Sequence, residues 1–532
     1  MSRLRETTKA IEEEEAELRL GTGASGMDRQ RRLGRLPVRE RVQQLIDPNT
    51  QFLELGLWAA WKMYPEWGDV PAAGVVVGIG QISGHACLIV ANDATVKAGA
   101  MFPQSVKKFL RAQKIAELFR LPVIYLVDSA GVFLPLQDEI FPDEDDFGRI
   151  FRNNSKLSAA GIPQFAAVMG NCVAGGAYLP VLCDMMIMTE GSQVYLAGPA
   201  LVKAAIGQTV DPEELGGASM HSQISGTADF HEPNDVAALS RLRKLVGQLP
   251  HSTADEFTAF QLMTDTNQND LFEIVSGDAN TEYDIRRVIA SIADADSVQE
   301  YKAEYGKSIV TSFAKIGGRS VGIVANQRCR SKTSRGELEI GGVIYPESAE
   351  KAARFILNCN QDGIPLIFFQ DVQGFMVGRA AEQAGIIRAG AKLVNAVSNS
   401  VVPKLTVILG GSFGAGNYAL CGKAYDPWLI LAWPNARYAV MGAQQAAGTL
   451  LTLRLRDAER SGKKLDEAEV AELKRITTEN YEQQTDIRYA AARGWIDAII
   501  NPSETRRWLN AALELIAQRH PLSELRTGVW QV

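Results

Sequence analysis

The chain has 532 residues, of which 46% are hydrophobic and 22% charged, a balance that reads as a soluble globular protein of two to four domains. Its net charge of −7 argues against a general nucleic-acid surface and leaves room only for a local basic funnel. No apolar run reaches the length of a membrane span, and the acidic, charged start from Met1 to Leu20 lacks the apolar core of a secretory signal. The six cysteines (Cys87, Cys172, Cys183, Cys329, Cys359 and Cys421) form no Cys-x-x-Cys pair. They read as reduced core thiols, and no metal site is expected.

In chain order, Arg3 to Leu20 reads as an exposed helix with a solvated acidic face, broken at Gly21 to Gly26. Arg29 to Arg41 holds six arginines, which are either a solvated, ion-paired helix or a contact for ligand phosphates. The aromatic-rich stretch from Phe52 to Trp67 is expected to cover a core edge. Gly74 to Gly80 and His85 to Ala91 read as paired strands, Val106 to Phe119 as a helix, and Leu121 to Val127 as a buried strand. That strand ends in the turn Asp128-Ser129-Ala130-Gly131, where open α/β sheets place ligands. Phe165 to Met169 reads as another buried strand, Tyr178 to Met186 as a helix, Ser192 to Leu196 as a strand, and Ala200 to Ile206 as a helix. The pattern weakens from Val246 to Glu304, where a linker is expected, with a helix over Asp284 to Ala293. Ala439 to Gly442 reads as continuing a sheet. Leu453 to Lys474 is a charged helical excursion, Thr485 to Ile500 returns to core, and Arg506 to Gln518 reads as a closing amphipathic helix.

The second half repeats the first. Pro103-x-Ser105 begins a helix that leads to Pro122, a strand and Gly131; Pro346-x-Ser348 leads in the same way to Pro365, the strand Leu366 to Phe369, and Gly374. The offset is 243 residues throughout and falls to 240 by the glycine turns, where Gly175-Gly176 matches Ala415-Gly416. Strands alternating with helices make each copy α/β. In each, an apolar strand runs into small residues and then a tyrosine: Gly170 to Tyr178, and Gly410 to Tyr418. Such a turn lets a ligand approach the backbone, and its N–H groups can form an oxyanion hole. Two of them suit two carbonyl-bearing reactants.

An acid–base team is not apparent. Five histidines occur (His85, His221, His231, His251 and His520), none beside the glycine turns in sequence; His221, after Gly216-Gly217, is the most suggestive, and a structural role is the favoured reading. No nucleophile elbow, Walker motif, HExxH or Rossmann fingerprint is present. Paired oxyanion holes without side-chain acids or bases suit enolate chemistry on a thioester, with the reactive groups carried by cofactor and substrate.

Several stretches together make the family legible. They are Leu36-Pro37-Val38-Arg39-Glu40-Arg41, Asn92-Asp93-Ala94-Thr95-Val96-Lys97, Tyr125 to Gly131, Phe147-Gly148-Arg149-Ile150-Phe151, Leu196 to Lys203, Gly374-Phe375-Met376-Val377-Gly378 and Ala432-Trp433-Pro434-Asn435-Ala436. The chain resembles the carboxyltransferase (β) subunits of biotin-dependent acyl-CoA carboxylases over nearly its whole length. Gly374 to Gly378 and Phe413 to Tyr418 look most like the methylcrotonyl-CoA carboxylase branch, with geranyl-CoA carboxylase close by. The resemblance implies an α/β fold of two duplicated crotonase-like (ββα superhelix) domains, residues 1–270 on the acyl-CoA side and residues 271–532 on the carboxybiotin side. It implies that Gly175 and Gly176 hold the thioester enolate and that Ala415 and Gly416 hold the biotin ureido oxygen. Carboxybiotin would release CO2, the ureide would take the substrate proton, and the enolate would attack CO2. Ala130, Gly131, Phe133, Gly374, Phe375, Met376 and Val377 would line the acyl pocket. Biotin would be carried on a partner α subunit with biotin carboxylase and biotin carboxyl carrier domains, since this chain has no Ala-Met-Lys-Met attachment site and no ATP-binding loop. A hexamer (trimer of dimers) is implied, placed in a bacterial cytoplasm or a mitochondrial matrix, with leucine breakdown as the setting and no membrane or nucleic-acid partner.

Two departures bear on the substrate. Ala130 stands where many relatives have glycine, and Asp371-Val372-Gln373 is unlike the usual methylcrotonyl pattern. The alternatives are a geranyl-, propionyl- or acetyl-CoA carboxylase β subunit, the carboxyltransferase of a biotin-dependent glutaconyl-CoA decarboxylase, or a noncatalytic scaffold.

Overall fold

The computed structural model describes residues 2–141, 143–250, 271–278, 281–333, 336–442 and 467–517. Two eight-stranded sheets are built to one plan. The first uses β1 (Leu53–Leu55), β2 (Val75–Ile82), β3 (His85–Asn92), β4 (Val123–Ser129), β5 (Gln164–Val173), β6 (Met185–Thr189) and β8 (Phe230–Glu232) in the order β1-β2-β3-β4-β5-β6-β8, with β7 (Gln193–Tyr195) also paired to β5. The second takes β9 (Gln299–Tyr301), β10 (Ile309–Ile316) and β11 (Arg319–Asn326). Two short pieces follow, β12 (Ser331–Lys332) and β13 (Leu338–Glu339), which form a hairpin, and then β14 (Val343–Ile344). The rest are β15 (Leu366–Val372), β16 (Gly374–Phe375), β17 (Lys404–Phe413), β18 (Leu429–Ala432), β19 (Arg437–Ala439) and β20 (Ala498–Ile499). The second order is β20-β18-β17-β15-β11-β10-β9, with β19 paired to β17. In both sheets the first three strands are antiparallel and the remainder parallel. Strands β3, β4, β15 and β17 are buried along their whole length, which is why they read as continuous apolar runs rather than alternating ones.

The duplication includes an irregularity. Between β4 and β5 the pairing passes from Val127↔Val168 to Ser129↔Cys172, so Asp128 faces three residues; between β15 and β17 it passes from Gln370↔Ile408 to Val372↔Ser412, so Asp371 does the same. At the same place β5 leaves β6 for β7, and β17 leaves β18 for β19. The long helices that precede these strands, Pro103–Phe119 and Pro346–Gln361, start alike. Ser105 Oγ accepts the Phe102 N–H (2.9 Å), and Ser348 Oγ accepts the Tyr345 N–H (2.9 Å), each closing an otherwise orphaned donor.

Three expectations change. The apolar run from Tyr178 to Met186 is a helix only over Tyr178–Val181; Met185 begins β6, laid in parallel against Phe165. The N-terminal helix, Arg3–Arg19, is not merely solvated. Leu4 and Ile11 are buried, and Glu15 accepts a hydrogen bond from Trp58 Nε1 at 3.0 Å. Ala439 ends β19, and Val440 beyond it is exposed rather than part of the sheet. The arginine-rich stretch is ion-paired: Arg31 to Glu40, Arg39 to Glu54, and Arg41 to Asp128 and Asp235. The polar stretches at 251–255 and 264–270 and most of the charged excursion at 453–474 lie outside the described residues; from Glu467 the chain is a helix to Thr485.

The halves share a seam. Asp497 accepts from Arg111 Nη2 (2.6 Å) and Nε (2.8 Å), from Lys423 Nζ (2.8 Å) and from the Ile430 N–H (3.0 Å). Arg111 lies on the Pro103–Phe119 helix of the first half, so this buried group joins the two. The N-terminal helix crosses the same seam: Ile11 packs in one cluster with Leu57, Ile408, Ile430 and Ile499, and Glu14 pairs with Arg488 at 2.6 Å.

Candidate active site

Each glycine turn is the exit of the central parallel strand. β5 runs into a single 3-10 turn, Ala174–Ala177, containing Gly175 and Gly176, and then into the helix Tyr178–Val181. β17 runs into the helix Gly414–Ala419, containing Ala415 and Gly416. The tyrosines that close the two turns are alike in exposure, Tyr178 at 49% and Tyr418 at 48%; in the second turn Ala415 is exposed and Gly416 buried.

The neighbouring loop approaches each turn in the same way. A Cβ built on Gly176 would lie 3.9 Å from Gly131 Cα, and one on Gly416 would lie 3.4 Å from Gly374 Cα. The structure therefore brings Gly131 together with Gly176, and Gly374 together with Gly416. Both loop glycines have positive φ, 87° for Gly131 and 130° for Gly374, a conformation that side chains resist. Ala130 is exposed and its N–H donates to Ala98 O (3.1 Å), while Ser129 Oγ accepts the Gly131 N–H (3.1 Å) and donates to Gly99 O (2.7 Å). The segment it leans on, Lys97-Ala98-Gly99, is left-handed at all three residues. In the second half Gly374 and Phe375 pair with Val343 and Ile344, and the Met376 N–H donates to Ile344 O (2.9 Å).

The pocket candidates divide. Phe133 is half-buried, stacked on Phe102 with centroids 4.2 Å apart and edge-on to Trp67 at 5.2 Å, so part of its ring belongs to an aromatic cluster. Phe375 is half-buried with its ring against Gly390, Met376 is half-buried, and Val377 is exposed.

Beneath each turn sits a carboxylate that motif reading did not assign to it. Asp128 Oδ2 is 3.3 Å from Arg41 Nη1 and Nη2, and its Oδ1 accepts the Asn171 N–H at 3.3 Å. Burial pushes this carboxyl above the usual carboxylate range, opposed by the Arg41 and Arg35 guanidinium groups. Asp371 Oδ1 accepts the Gly411 N–H (2.7 Å), its Oδ2 accepts from Tyr283 OH (3.0 Å), and the Arg328 guanidinium forms an ion pair with it, Nε lying 3.2 Å from Oδ2. Their partners are remote in sequence, which is why only the 243-residue offset between the two aspartates could have paired them.

Side-chain nucleophiles fit poorly. Burial, with Asp128 nearby, pushes the Cys172 thiol up to about 12, so it stays protonated. His221 is 2.7 Å from Val194 O through Nε2 and 2.9 Å from Ser225 Oγ through Nδ1, a structural role. Among the described residues no group of three or more metal-ligating side chains occurs, all six cysteines are free, and no helix is long and apolar enough to cross a membrane. A cavity of about 470 Å³ lies elsewhere, at the seam around Glu15, Trp58 and Trp508, and contains neither turn. What remains for chemistry at the turns is their backbone N–H groups.

The family model for the carboxyl transferase domain matches residues 29–526. The chain belongs to the carboxyl transferase domain family. It is a carboxyltransferase of mixed α/β architecture, in two crotonase-like copies. It is 46% identical over 501 residues to the biotin-dependent 3-methylcrotonyl-coenzyme A carboxylase beta1 subunit of Mycobacterium tuberculosis, covering 94% of this chain and 92% of that one. It is 43% identical over 521 residues to the mitochondrial methylcrotonoyl-CoA carboxylase beta chain of Arabidopsis thaliana, covering 96% and 86%. Among solved structures it resembles the beta subunit of P. aeruginosa geranyl-CoA carboxylase, with a TM-score of 0.85 at 34% identity, over 100% of this chain and 96% of that one.

Proposed function

We propose that this carboxyltransferase is the β subunit of a biotin-dependent acyl-CoA carboxylase and that its acyl substrate is 3-methylcrotonyl-CoA. The observation that carries the reaction is the glycine turn built twice on the same scaffold, each with a loop glycine against it. The identity to named methylcrotonyl-CoA carboxylase β chains supports the substrate.

In this reading residues 1–270 form the acyl-CoA half and residues 271–532 the carboxybiotin half. The Gly175 and Gly176 N–H groups donate to the thioester oxygen as negative charge develops there, and the Ala415 and Gly416 N–H groups donate to the ureido oxygen of biotin. Such a donor is worth about 10²–10³ in rate. Carboxybiotin, delivered by an α subunit with biotin carboxylase and carrier domains, supplies the carboxyl group and the proton acceptor. The residues fit such a ligand: Ala415 is exposed, and nothing but Gly131 stands within 4 Å of a Cβ at Gly176. No side-chain base is required of this chain. Ala130, Gly131 and Phe133, with Gly374, Phe375, Met376 and Val377, shape the acyl pocket. The second reactant reaches the first turn from another protomer, in a trimer of dimers. Leucine breakdown is the metabolic setting, in a bacterial cytoplasm or a mitochondrial matrix.

The test is ATP-dependent fixation of labelled bicarbonate by the chain combined with its co-purifying biotinylated subunit, across a panel of acyl-CoAs. Fixation confined to 3-methylcrotonyl-CoA is expected. A second reading, geranyl-CoA, is favoured by the full-length structural likeness to a geranyl-CoA carboxylase β subunit. Preference for the longer acyl chain would establish it, and no fixation with any acyl-CoA would remove both.

A further inference from the structure

Gly170 and Gly410 are not part of either oxyanion hole, yet neither tolerates a side chain. A Cβ at Gly170 would lie 2.0 Å from Asp128 Oδ1, and a Cβ at Gly410 would lie 2.5 Å from Asp371 Cγ. In both halves the carboxylate occupies the space beside the strand. It does so at the point where the central strand changes neighbours, from β6 to β7 in one sheet and from β18 to β19 in the other. The next backbone N–H, of Asn171 or Gly411, donates to that carboxylate. Four residues further on come Gly175 and Ala415.

The counter-charges differ. Arg41 reaches Asp128 from the helix Val38–Leu45, donating also to Met169 O at 3.2 Å and to Asp235 at 2.8 Å. Asp371 is held instead by Arg328, which follows β11, and by Tyr283. Two unrelated sets of partners maintain one arrangement. A merely inherited packing detail has no reason to keep its carboxylate while its partners are replaced.

We propose that Asp128 and Asp371 are positioning residues, each a buried anionic brace that fixes the exit of its strand and so the aim of the N–H groups in its own glycine turn. The proposal rests on the reading of the two turns as separate holes for the acyl-CoA and for biotin. It assigns each brace to one hole: Asp128 acts on the acyl-CoA side and Asp371 on the biotin side. The brace works through the backbone and touches neither reactant. Small misplacement of such donors is costly, about a hundredfold in rate for a shift near 1 Å.

The experiment compares D128N and D371N in the assembled holoenzyme. The amide keeps the volume and removes the charge, and Gly170→Ala serves as a second variant that displaces the Asp128 carboxylate without neutralising it. Three quantities are read: kcat and KM for the acyl-CoA, release of CO2 from free carboxybiotin without acyl-CoA, and amide hydrogen exchange over residues 171–177 and 411–417. We expect D128N and Gly170→Ala to lower kcat about ten- to a hundredfold with KM for the acyl-CoA within about twofold, to leave CO2 release intact, and to speed exchange only over 171–177. D371N should suppress CO2 release and speed exchange only over 411–417. Equal loss of both reactions in both aspartate variants, or unchanged exchange in its own turn for either, overturns the proposal. The exchange readout needs no substrate. Local exchange changes in a protein that fixes bicarbonate on no acyl-CoA would therefore refute the functional reading and leave the braces standing.

Discussion

Gly176 and Gly416 occupy matching places in the two turns, yet they are glycine for different reasons. At Gly416 the chain itself fills the space, because a Cβ would come within 2.5 Å of Val372 Cγ2. At Gly176 nothing approaches a Cβ closer than Gly131 Cα, at an ordinary contact distance of 3.9 Å, and φ is not in the left-handed region. Folding alone does not require glycine there. Gly176→Ala should therefore leave the melting temperature nearly unchanged, while carboxyl transfer falls at least about tenfold because the methyl occupies the ligand's approach. Gly416→Ala should cost roughly 1–3 kcal/mol of stability from overpacking as well as activity. Thermal unfolding and steady-state rates on the two variants check this, and a Gly176→Ala enzyme of full activity would sink the oxyanion-hole assignment. A bulkier Gly176→Val should abolish transfer while size-exclusion chromatography shows assembly intact.

The elements make a second comparison between copies possible. Ser105 and Ser348 cap matching helices, but their hydroxyl protons go to different places. Ser105 Oγ donates to Ala73 O at 2.6 Å, tying the helix start to a left-handed backbone segment (φ 55° at Ala73), whereas Ser348 Oγ returns to Tyr345 O at 3.0 Å. Loss of Ser105 leaves a buried carbonyl and a buried N–H without partners. Ser105→Ala is expected to cost about 2–3 kcal/mol and Ser348→Ala about 1, by denaturant unfolding, and equal costs would contradict the assignment. The Pro-x-Ser spacing that marked these helices was legible in the sequence because the cap is local. So were the parallel strands, whose two buried faces leave an apolar run. The run from Tyr178 to Met186 reads as helix throughout because apolar content alone does not separate a helix from a buried strand. What ends the helix early is tertiary: the Asp184 carboxylate accepts the Gln164 N–H at 2.8 Å and turns the chain back into the sheet. A nine-residue insertion in the second copy is hidden in the sequence for a similar reason. The offset is 234 at the paired strands (Val75 to Ile309) and 243 at the helices (Pro103 to Pro346), and the added residues form the β12–β13 hairpin, which has no counterpart to align against. The glycine turns were legible as motifs, and the aspartates beneath them were not, since Arg41 and Asp128 stand 87 residues apart.

At the scale of the whole molecule, the seam rests on Asp497. Burial alone would raise its pKa, but Arg111 and Lys423 outweigh burial and hold the carboxyl well below the usual carboxylate range. Since the folded value lies below the unfolded one of about 3.9, the group's contribution is fully present above that pH and is lost as pH falls through it toward the folded value. The melting temperature should therefore drop on acidification below about pH 4, and D497N should flatten that part of the profile. The same variant should lower stability at neutral pH by roughly 2–3 kcal/mol, because half-buried Arg111 and Lys423 would lose their counter-charge while Arg111 keeps the Pro427 and Trp428 carbonyls. Differential scanning calorimetry at a series of pH values reads both effects. An acid profile in D497N that parallels the parent would remove Asp497 from the account.

The N-terminal helix carries a consequence for biosynthesis. Its inward side, through Ile11 and Glu14, is completed by Ile430, Arg488 and Ile499, some of the last core residues to leave the ribosome. At about 5–20 residues per second, roughly half a minute to a minute and a half separates translation of Glu14 from that of Arg488. Once the first sheet has its strands, the helix has only its first-half partners, such as Leu57 and Trp58, and the edge that Ile430 and Ile499 will cover stays open. A nascent chain stalled before Arg488 should accordingly present Ile11 to a site-specific crosslinker and bind a holdase chaperone there, and release of the full-length chain should end both.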